Sequence, residues 1–384
     1  MTTDSANDAE QTLPPEWSNP PPGVNPDRVA VRMIRDDDIE PIVDHLLRCF
    51  EDGWPPFEVD CSVADHVSWK LNANTESWNQ QVIATLEDDD RYVVALAIRI
   101  RRPGWVRGQE RVILDVTDQS VHADWRRMHI NQKRSNFRKT VGHDTHDLSF
   151  SWLPQHPATR KSSLEDPTFG NRVLVLWRPG SLRSLVSLPR HLAGWGHTAS
   201  VVRAAIRGRF RRRPGPTFAG EIVDLRQFDD RTDAVWDAVK PELDFAIART
   251  QDYLNWRYLD PRAGRFEARA AIEAGEVVGY CVTKPHADPA SIVDLLVWPG
   301  RLDVVEALVT DAVARIDRER RRDIRCWLPQ THPYAAVIRQ LGFLDSGGDP
   351  SARYSAETMA DEDLEFLLDP AARVHVTEGD ADFV

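Results

Sequence analysis

The chain has 384 residues, of which 41% are hydrophobic, which is enough for two or three domains with real cores. Its formal net charge of −12 excludes a general DNA-coating protein. No apolar run nears the roughly 18 residues that a bilayer span needs, and an N-terminus bearing Asp4, Asp8 and Glu10 does not read as a secretory signal.

Residues 1–27, polar and carrying Pro20-Pro21-Pro22, are expected to be a disordered tail. Val29-Ala30-Val31-Arg32 alternates like a strand. Asp36 to Asp38 then cap a helix carrying Ile39, Ile42, Val43, Leu46, Leu47 and Phe50 at helical spacing. Gly53-Trp54-Pro55-Pro56 breaks it, and a second helix is predicted from about Val63 to Leu71. Strands follow at Gln81 to Glu87, Tyr92 to Arg101 and Arg111 to Thr117, then a basic helix from about Arg126 to Thr140, a strand into Trp152, and a closing segment near Arg172 to Trp177. Residues 179–218 hold a helical pattern from Thr198 to Phe210 and the run Arg211-Arg212-Arg213, which suits a basic connector, a membrane-surface helix or a nucleic-acid contact. An acidic tail, 369–384, ends the chain. Cys49, Cys61, Cys281 and Cys326 are scattered without metal-ligand spacing and read as free thiols in a reducing cytoplasm, with no metal site.

The chain repeats itself. Trp152-Leu153-Pro154-Gln155-His156-Pro157 returns as Trp327-Leu328-Pro329-Gln330-Thr331-His332-Pro333. Val31-Arg32-Met33-Ile34 is echoed by Ile222-Val223-Asp224-Leu225, and Ser68-Trp69-Lys70-Leu71 by Asn255-Trp256-Arg257-Tyr258. Val93-Val94-Ala95-Leu96 is echoed by Val277-Val278-Gly279-Tyr280, and Ile113-Leu114-Asp115-Val116 by Ile292-Val293-Asp294-Leu295. The separation shrinks steadily, from 191 residues (31 to 222) to 175 (152 to 327), as expected of two divergent copies whose first member has longer loops.

Each copy orders its elements as a strand, two helices, three strands, a helix and a strand. That order resembles the GNAT (Gcn5-related N-acetyltransferase) superfamily. Val121-His122-Ala123-Asp124-Trp125-Arg126-Arg127-Met128-His129-Ile130 resembles the family's motif A, and Val337-Ile338-Arg339-Gln340-Leu341-Gly342-Phe343 its late helix ending in Leu-Gly-Phe. Glu276-Val277-Val278-Gly279-Tyr280 is similar to its hairpin entering the middle strands. The resemblance implies a mixed α/β (α+β) chain of two tandem GNAT-like, acyl-CoA N-acyltransferase domains, 28–178 and 219–368. Each would hold a mixed, mostly antiparallel central sheet flanked by helices.

Motif A works because a helix N-terminus offers unpaired N–H groups to a pyrophosphate. The resemblance places acetyl-CoA at Val116, Arg126, Arg127, Met128, His129, Ile130 and Asn131, with His129 and Asn131 standing where the family has small residues. Arg126, Arg127, Lys133, Arg134, Arg138 and Lys139 concentrate positive charge on this helix of an acidic protein. In the second copy the loop reads Trp298-Pro299-Gly300-Arg301-Leu302-Asp303, and Asp303 with Glu306 would form a capping box that occupies those donors. Acyl transfer to an amine needs a base. Asp115 and Asp118, on or just after the strand that faces the acyl group in the family, are the candidates; the plainer reading of each is a surface or turn carboxylate. The family's acidic Tyr is replaced by Ile338. His156 and His332, carried by both copies, read as loop-shaping, and Trp69 and Trp256 as core.

The resemblance implies a cytoplasmic N-acyltransferase moving an acetyl group from acetyl-CoA to the amine of a small molecule or peptide. It would work from the first copy, and the oligomeric state is left open. Two other functions fit the same residues: a non-catalytic binding or scaffold protein of this fold, and a Fem-type aminoacyl-transferase using charged tRNA.

Overall fold

Val29 to Met33 forms β1 (Val29–Met33), the strand expected there, in the computed structural model of the chain. The structure describes residues 24–50, 53–71, 81–141, 146–152, 169–180, 217–320, 323–345 and 351–381. The chain packs as two units: one formed by residues 1–53, 78–98 and 118–144, the other by 54–77, 99–117 and 145–384. The strands β3 (Val93–Val106) and β4 (Gln109–Val121) each contribute residues to both.

In the first unit, β1 pairs antiparallel with β2 (Val82–Leu86), with Val31 opposite Ala84, and β2 pairs with the start of β3. Helix α1 (Ile39–Cys49) buries Ile42 and Leu46 while Leu47 stays exposed. The expected Asp cap is not made by Asp38, whose buried carboxylate instead accepts from both terminal nitrogens of Arg32 (2.6 and 2.7 Å) and from the Arg35 N–H (2.6 Å). Helix α3 (Ile130–Val141) starts four residues later than its charge pattern suggested. Arg127 (φ 68°) and His129 (φ 55°) take left-handed backbone, which no right-handed helix accommodates. Val29, Ala84, Val94, Ala95, Trp125 and Ile130 form a common core.

The second unit holds a sheet in the order β4, β5 (Leu148–Trp152), β14 (Ser351–Ala356), β6 (Phe169–Arg178), β12 (Ile324–Pro329), β11 (Ala290–Val297), β10 (Glu276–Lys284), β9 (Glu267–Glu273), β7 (Glu221–Asp224). Two adjacent pairs in this row are parallel, β4 with β5 and β11 with β12, and the pairs from β5 to β12 and from β11 to β7 are antiparallel. The short strand β8 (Phe245–Ile247) pairs with β15 (Val374–His375) and with β3. The helices here are α2 (Val63–Leu71), α4 (Asp230–Val239), α5 (Gln251–Leu254), α6 (Leu302–Arg320) and α7 (Tyr334–Gln340). Val304, Val305, Leu308, Val309, Ala312 and Ile316 of α6 are all buried, as their spacing predicts. Gly342 (φ 94°) follows α7, and the Phe343 N–H reaches back to the Ile338 carbonyl (3.4 Å), so the Leu-Gly-Phe ending is a left-handed helix cap.

Two arrangements escape a reading by repeats. The closing strands are exchanged: β6, from the first repeat, pairs with β12 of the second, while β14, from the second, pairs with β5 of the first. The boundaries at 178 and 219 therefore separate the repeats in sequence but not in packing. The segment read as an acidic tail is core instead, because His375 through Ala381 are buried. The echoed tryptophans meet. Trp152 and Trp327 lie 5.3 Å apart edge to face, and Trp69 stacks on Trp256 at 4.8 Å, with its Nε1–H donating to the Trp256 carbonyl (3.1 Å).

Candidate functional site

Each parallel pair holds for only three residues before its strands stop pairing. β4 matches β5 from Ile113 opposite Leu148 to Asp115 opposite Phe150, and β11 matches β12 from Ala290 opposite Ile324 to Ile292 opposite Cys326. At this point each copy buries an aspartate against an arginine. Asp115 is ion-paired to Arg102, both side chains almost fully buried. Asp294 is ion-paired to Arg249 (2.8 Å) and accepts from the Tyr258 hydroxyl (3.0 Å). Burial opposes charge on Asp294, yet Arg249, His375 and Tyr258 outweigh it and hold the carboxyl below its usual value. Asp115, a candidate base by its strand position, is therefore held in a buried ion pair. Asp118 is different: it is half-buried and takes left-handed backbone (φ 48°) late in β4.

The turn leading into α3 is pinned at both ends. Trp125 and Ile130 are buried, and between them Arg126, Arg127 and His129 are exposed while Met128 is half-buried. The first intrahelical bond runs from the Lys133 N–H to the His129 carbonyl (3.0 Å). The N–H groups of Ile130, Asn131 and Gln132 precede it and have no acceptor within the helix. Left-handed residues alternating with ordinary ones also occur in backbone concavities that bind anions. The charge on α3 is less concentrated than its sequence implied, since Lys133 donates to the Pro26 carbonyl (2.7 Å) and Arg134 is buried. Arg126 anchors its Nε on the Val121 carbonyl (3.2 Å) and leaves its end exposed. Val116 is half-buried on β4, in the other unit.

The second repeat closes the corresponding places with its own groups. Asp303 lies inside the first turn of α6, where it is clamped by Arg301 (2.8 Å), which also binds Glu273 (2.7 Å). The Arg301 contact, followed by the Val304 N–H, holds the Asp303 carboxyl below its usual value. Past the end of the β11–β12 pairing, the Tyr334 hydroxyl bonds the backbone of Val297 (3.1 Å to N, 3.3 Å to O). The C-terminal segment packs against the same strands. Arg249 holds the Asp380 carboxylate (2.8 Å), Arg257 the Gly379 and Ala381 carbonyls (3.0 and 2.9 Å), and Arg325 the carboxylate of Glu378. Gly379 is obligatory here, because an added Cβ would fall 2.0 Å from the Tyr258 hydroxyl. His332 accepts the Tyr334 N–H at Nδ1 (3.3 Å) and so donates from Nε2 to His375 Nδ1 (3.1 Å), tying the repeated loop to this segment.

Of the predicted site residues, the structure brings Arg126, Arg127, Met128, His129, Ile130 and Asn131 together on one turn of the first unit. Asp118 lies in that unit too, and Asp115 and Val116 lie in the other. His156 and Arg211 to Arg213 fall outside the described residues. The sequence reading missed the buried arginines, whose lone cationic letters carry no spacing signal, and a Ser120–His45–Cys49 cluster whose members come from α1 and β4. Among the described residues, no group of three acidic, His or Cys side chains could hold a metal, and no helix is long and apolar enough to cross a membrane.

No protein-family model and no curated protein matches the sequence. Solved structures do. N-myristoyltransferase of Saccharomyces cerevisiae with bound myristoyl-CoA superposes with a TM-score of 0.54 at 12% identity, covering 88% of this chain and 81% of that one. A second structure of that enzyme, with myristoyl-CoA and inhibitors, gives 0.56 over 93% and 87%. A GCN5-related N-acetyltransferase from Anabaena variabilis gives 0.54 at 8% identity, over 86% and 73%. The chain has the GNAT-superfamily fold in its tandem form, a mixed α/β architecture with mostly antiparallel sheets.

Proposed function

We propose that this protein is an acyl-CoA-dependent N-acyltransferase that carries an acetyl group from acetyl-CoA to the amine of a small molecule or peptide. The observation that carries the reading is the turn from Arg126 to Asn131. It is an exposed helix start with two arginines beside it, in a fold that in yeast N-myristoyltransferase holds an acyl-CoA. The Ile130, Asn131 and Gln132 N–H groups and the arginines would take the phosphates. Asp118 takes the proton as the amine attacks the thioester carbonyl, and coenzyme A leaves as the thiolate. The second repeat then serves structure and acceptor selection, because its helix start is occupied by Asp303 and Arg301.

Calorimetric titration with acetyl-CoA tests the reading. Saturable binding, with release of free coenzyme A when amines are added, is expected. Absence of binding at millimolar ligand would favour the non-catalytic alternative.

A further inference from the structure

Helix α1 places His45 and Cys49 four residues apart, hence on one face. His45 is fully buried, and its Nδ1 lies 2.9 Å from the Val93 carbonyl. A carbonyl only accepts, so Nδ1 carries the ring proton and Nε2 is the acceptor. Two nucleophile-bearing side chains converge on that nitrogen: Ser120 Oγ at 3.0 Å and Cys49 Sγ at 3.5 Å. The Ser120 hydroxyl has a second acceptor in the Asp118 carbonyl (3.2 Å), and using it leaves Nε2 to the thiol. The left-handed backbone at Asp118 (φ 48°) supports this placement. On β4 Ile113, Leu114, Asp115 and Thr117 are buried, and after Asp118 the next buried residue is Ser120, within reach of His45. A nucleophile, a base within reach and a third group fixing the base's tautomer make the constellation of covalent catalysis.

We propose that Cys49 is an acyl-accepting nucleophile with His45 as its base, so that the acyl group rests on the protein before it reaches the amine. This rests on the acyl-transfer reading above. The Cys49 Sγ attacks the thioester carbonyl carbon while its proton passes to His45 Nε2. The carbon–sulfur bond to coenzyme A breaks, and the departing thiolate takes the proton from Nε2. The products are an S-acyl-cysteine and free coenzyme A. One thioester replaces another, so the exchange is close to energetically neutral. The amine then attacks the acyl carbon, Asp118 takes its proton, and Cys49 leaves as the thiolate, which regains a proton through solvent from Asp118. Burial holds His45 down to about 4, which keeps it in the neutral base form. Burial also raises the thiol above its usual value against the opposing charge of Arg126, so the proton moves only as the new bond forms. Cys49 is half-buried rather than enclosed.

The full chain, incubated with acetyl-CoA without amine and quenched in acid, is expected to gain one acetyl group. That group should be labile to neutral hydroxylamine and map to the peptide holding Cys49. Cys49→Ala abolishes it, and His45→Gln slows it at least tenfold. Cys61→Ala keeps it, since that thiol lies against the Arg262 carbonyl (3.9 Å). Because His45→Gln alters a buried site, Ser120→Ala serves as a second variant. It leaves the thiol as the donor to Nε2, so the rate stays at or above that of the parent, and a tenfold fall would overturn the assignment. A nucleotide-free thioester, S-acetyl-N-acetylcysteamine, separates this inference from the coenzyme reading. Acylation of Cys49 at least tenfold faster than Cys61 by this small donor upholds the nucleophile even if acetyl-CoA fails to bind. Equal rates at the two thiols, or acetyl on another residue, would refute it.

Discussion

The helices that start after the middle strands of the two repeats, α3 and α6, differ at their first turns. At α3 the first turn is flanked by exposed Arg126, Arg127 and His129, and its leading N–H groups have no carboxylate cap from within the turn. At α6 the first turn carries Asp303, which Arg301, itself bound to Glu273, holds in place. A helix N-terminus is an anion site only while the chain leaves its donors alone. The second repeat has used its own residues, and the C-terminal segment, where the first repeat has kept a surface.

The largest effect should come from breaking the closed side of this comparison. Arg249→Met leaves the carboxylates of Asp294 and Asp380 buried without their shared cation. Such a change costs about 3–5 kcal/mol, to be read by urea denaturation. A loss under about 1 kcal/mol would mean that the C-terminal segment does not stabilise the second repeat.

Next is a pH effect of roughly 2–3 kcal/mol from Lys284. Burial pushes its ammonium down to about 7, and its Nζ lies 3.9 Å over the Phe57 ring. With the folded value below the unfolded one, the unfolded chain binds more protons above pH 7. The Lys284 contribution therefore grows from pH 7 to 9, and above about pH 8 it is partly offset as thiols raised in the fold ionise in the unfolded chain. Lys284→Met should flatten that slope. On the acid side, His332 is held neutral by burial and by His375, so its contribution is complete above about pH 6.5 and falls away as the pH drops further.

A smaller effect sharpens the open side. Arg126→Glu with Arg127→Glu should weaken acetyl-CoA binding at least tenfold, about 1.4 kcal/mol, while Arg301→Glu should leave it unchanged. The reverse ranking in calorimetry would move the site to the second repeat. Smallest of all, His129→Gly puts the residue that left-handed backbone favours at φ 55° and removes a side chain from the phosphate path. Affinity should rise about threefold, roughly 0.7 kcal/mol; weaker binding would instead make His129 a phosphate contact.

Much of this molecule was readable by periodicity. The strand β1, the buried stripe of α6 and the Gly342 cap follow from local rules, and the duplicated Trp-Leu-Pro-Gln words announced the repeat. The candidate turn was legible as a motif, but its left-handed residues were not, since Arg and His carry no glycine-like signal. Asp115 was legible as a carboxylate on its strand but its ion pair was not, because Arg102 lies on another strand and nothing in either segment marks the pairing. His45 and Ser120 are 75 residues apart and meet through tertiary packing alone.

The sequence by itself therefore determined which segments become strands and helices, which faces they bury, and that the architecture is doubled. These follow from side-chain spacing along one element, where neighbours are set by covalent geometry. Only the tertiary structure decided that β6 and β14 trade partners, that residues 375–381 fill the second repeat, and which carboxylates lose their freedom to an arginine. Strand pairing and buried ion pairs join residues far apart in the chain, and a period of 2 or 3.6 tells a residue which way to face without naming what it will meet.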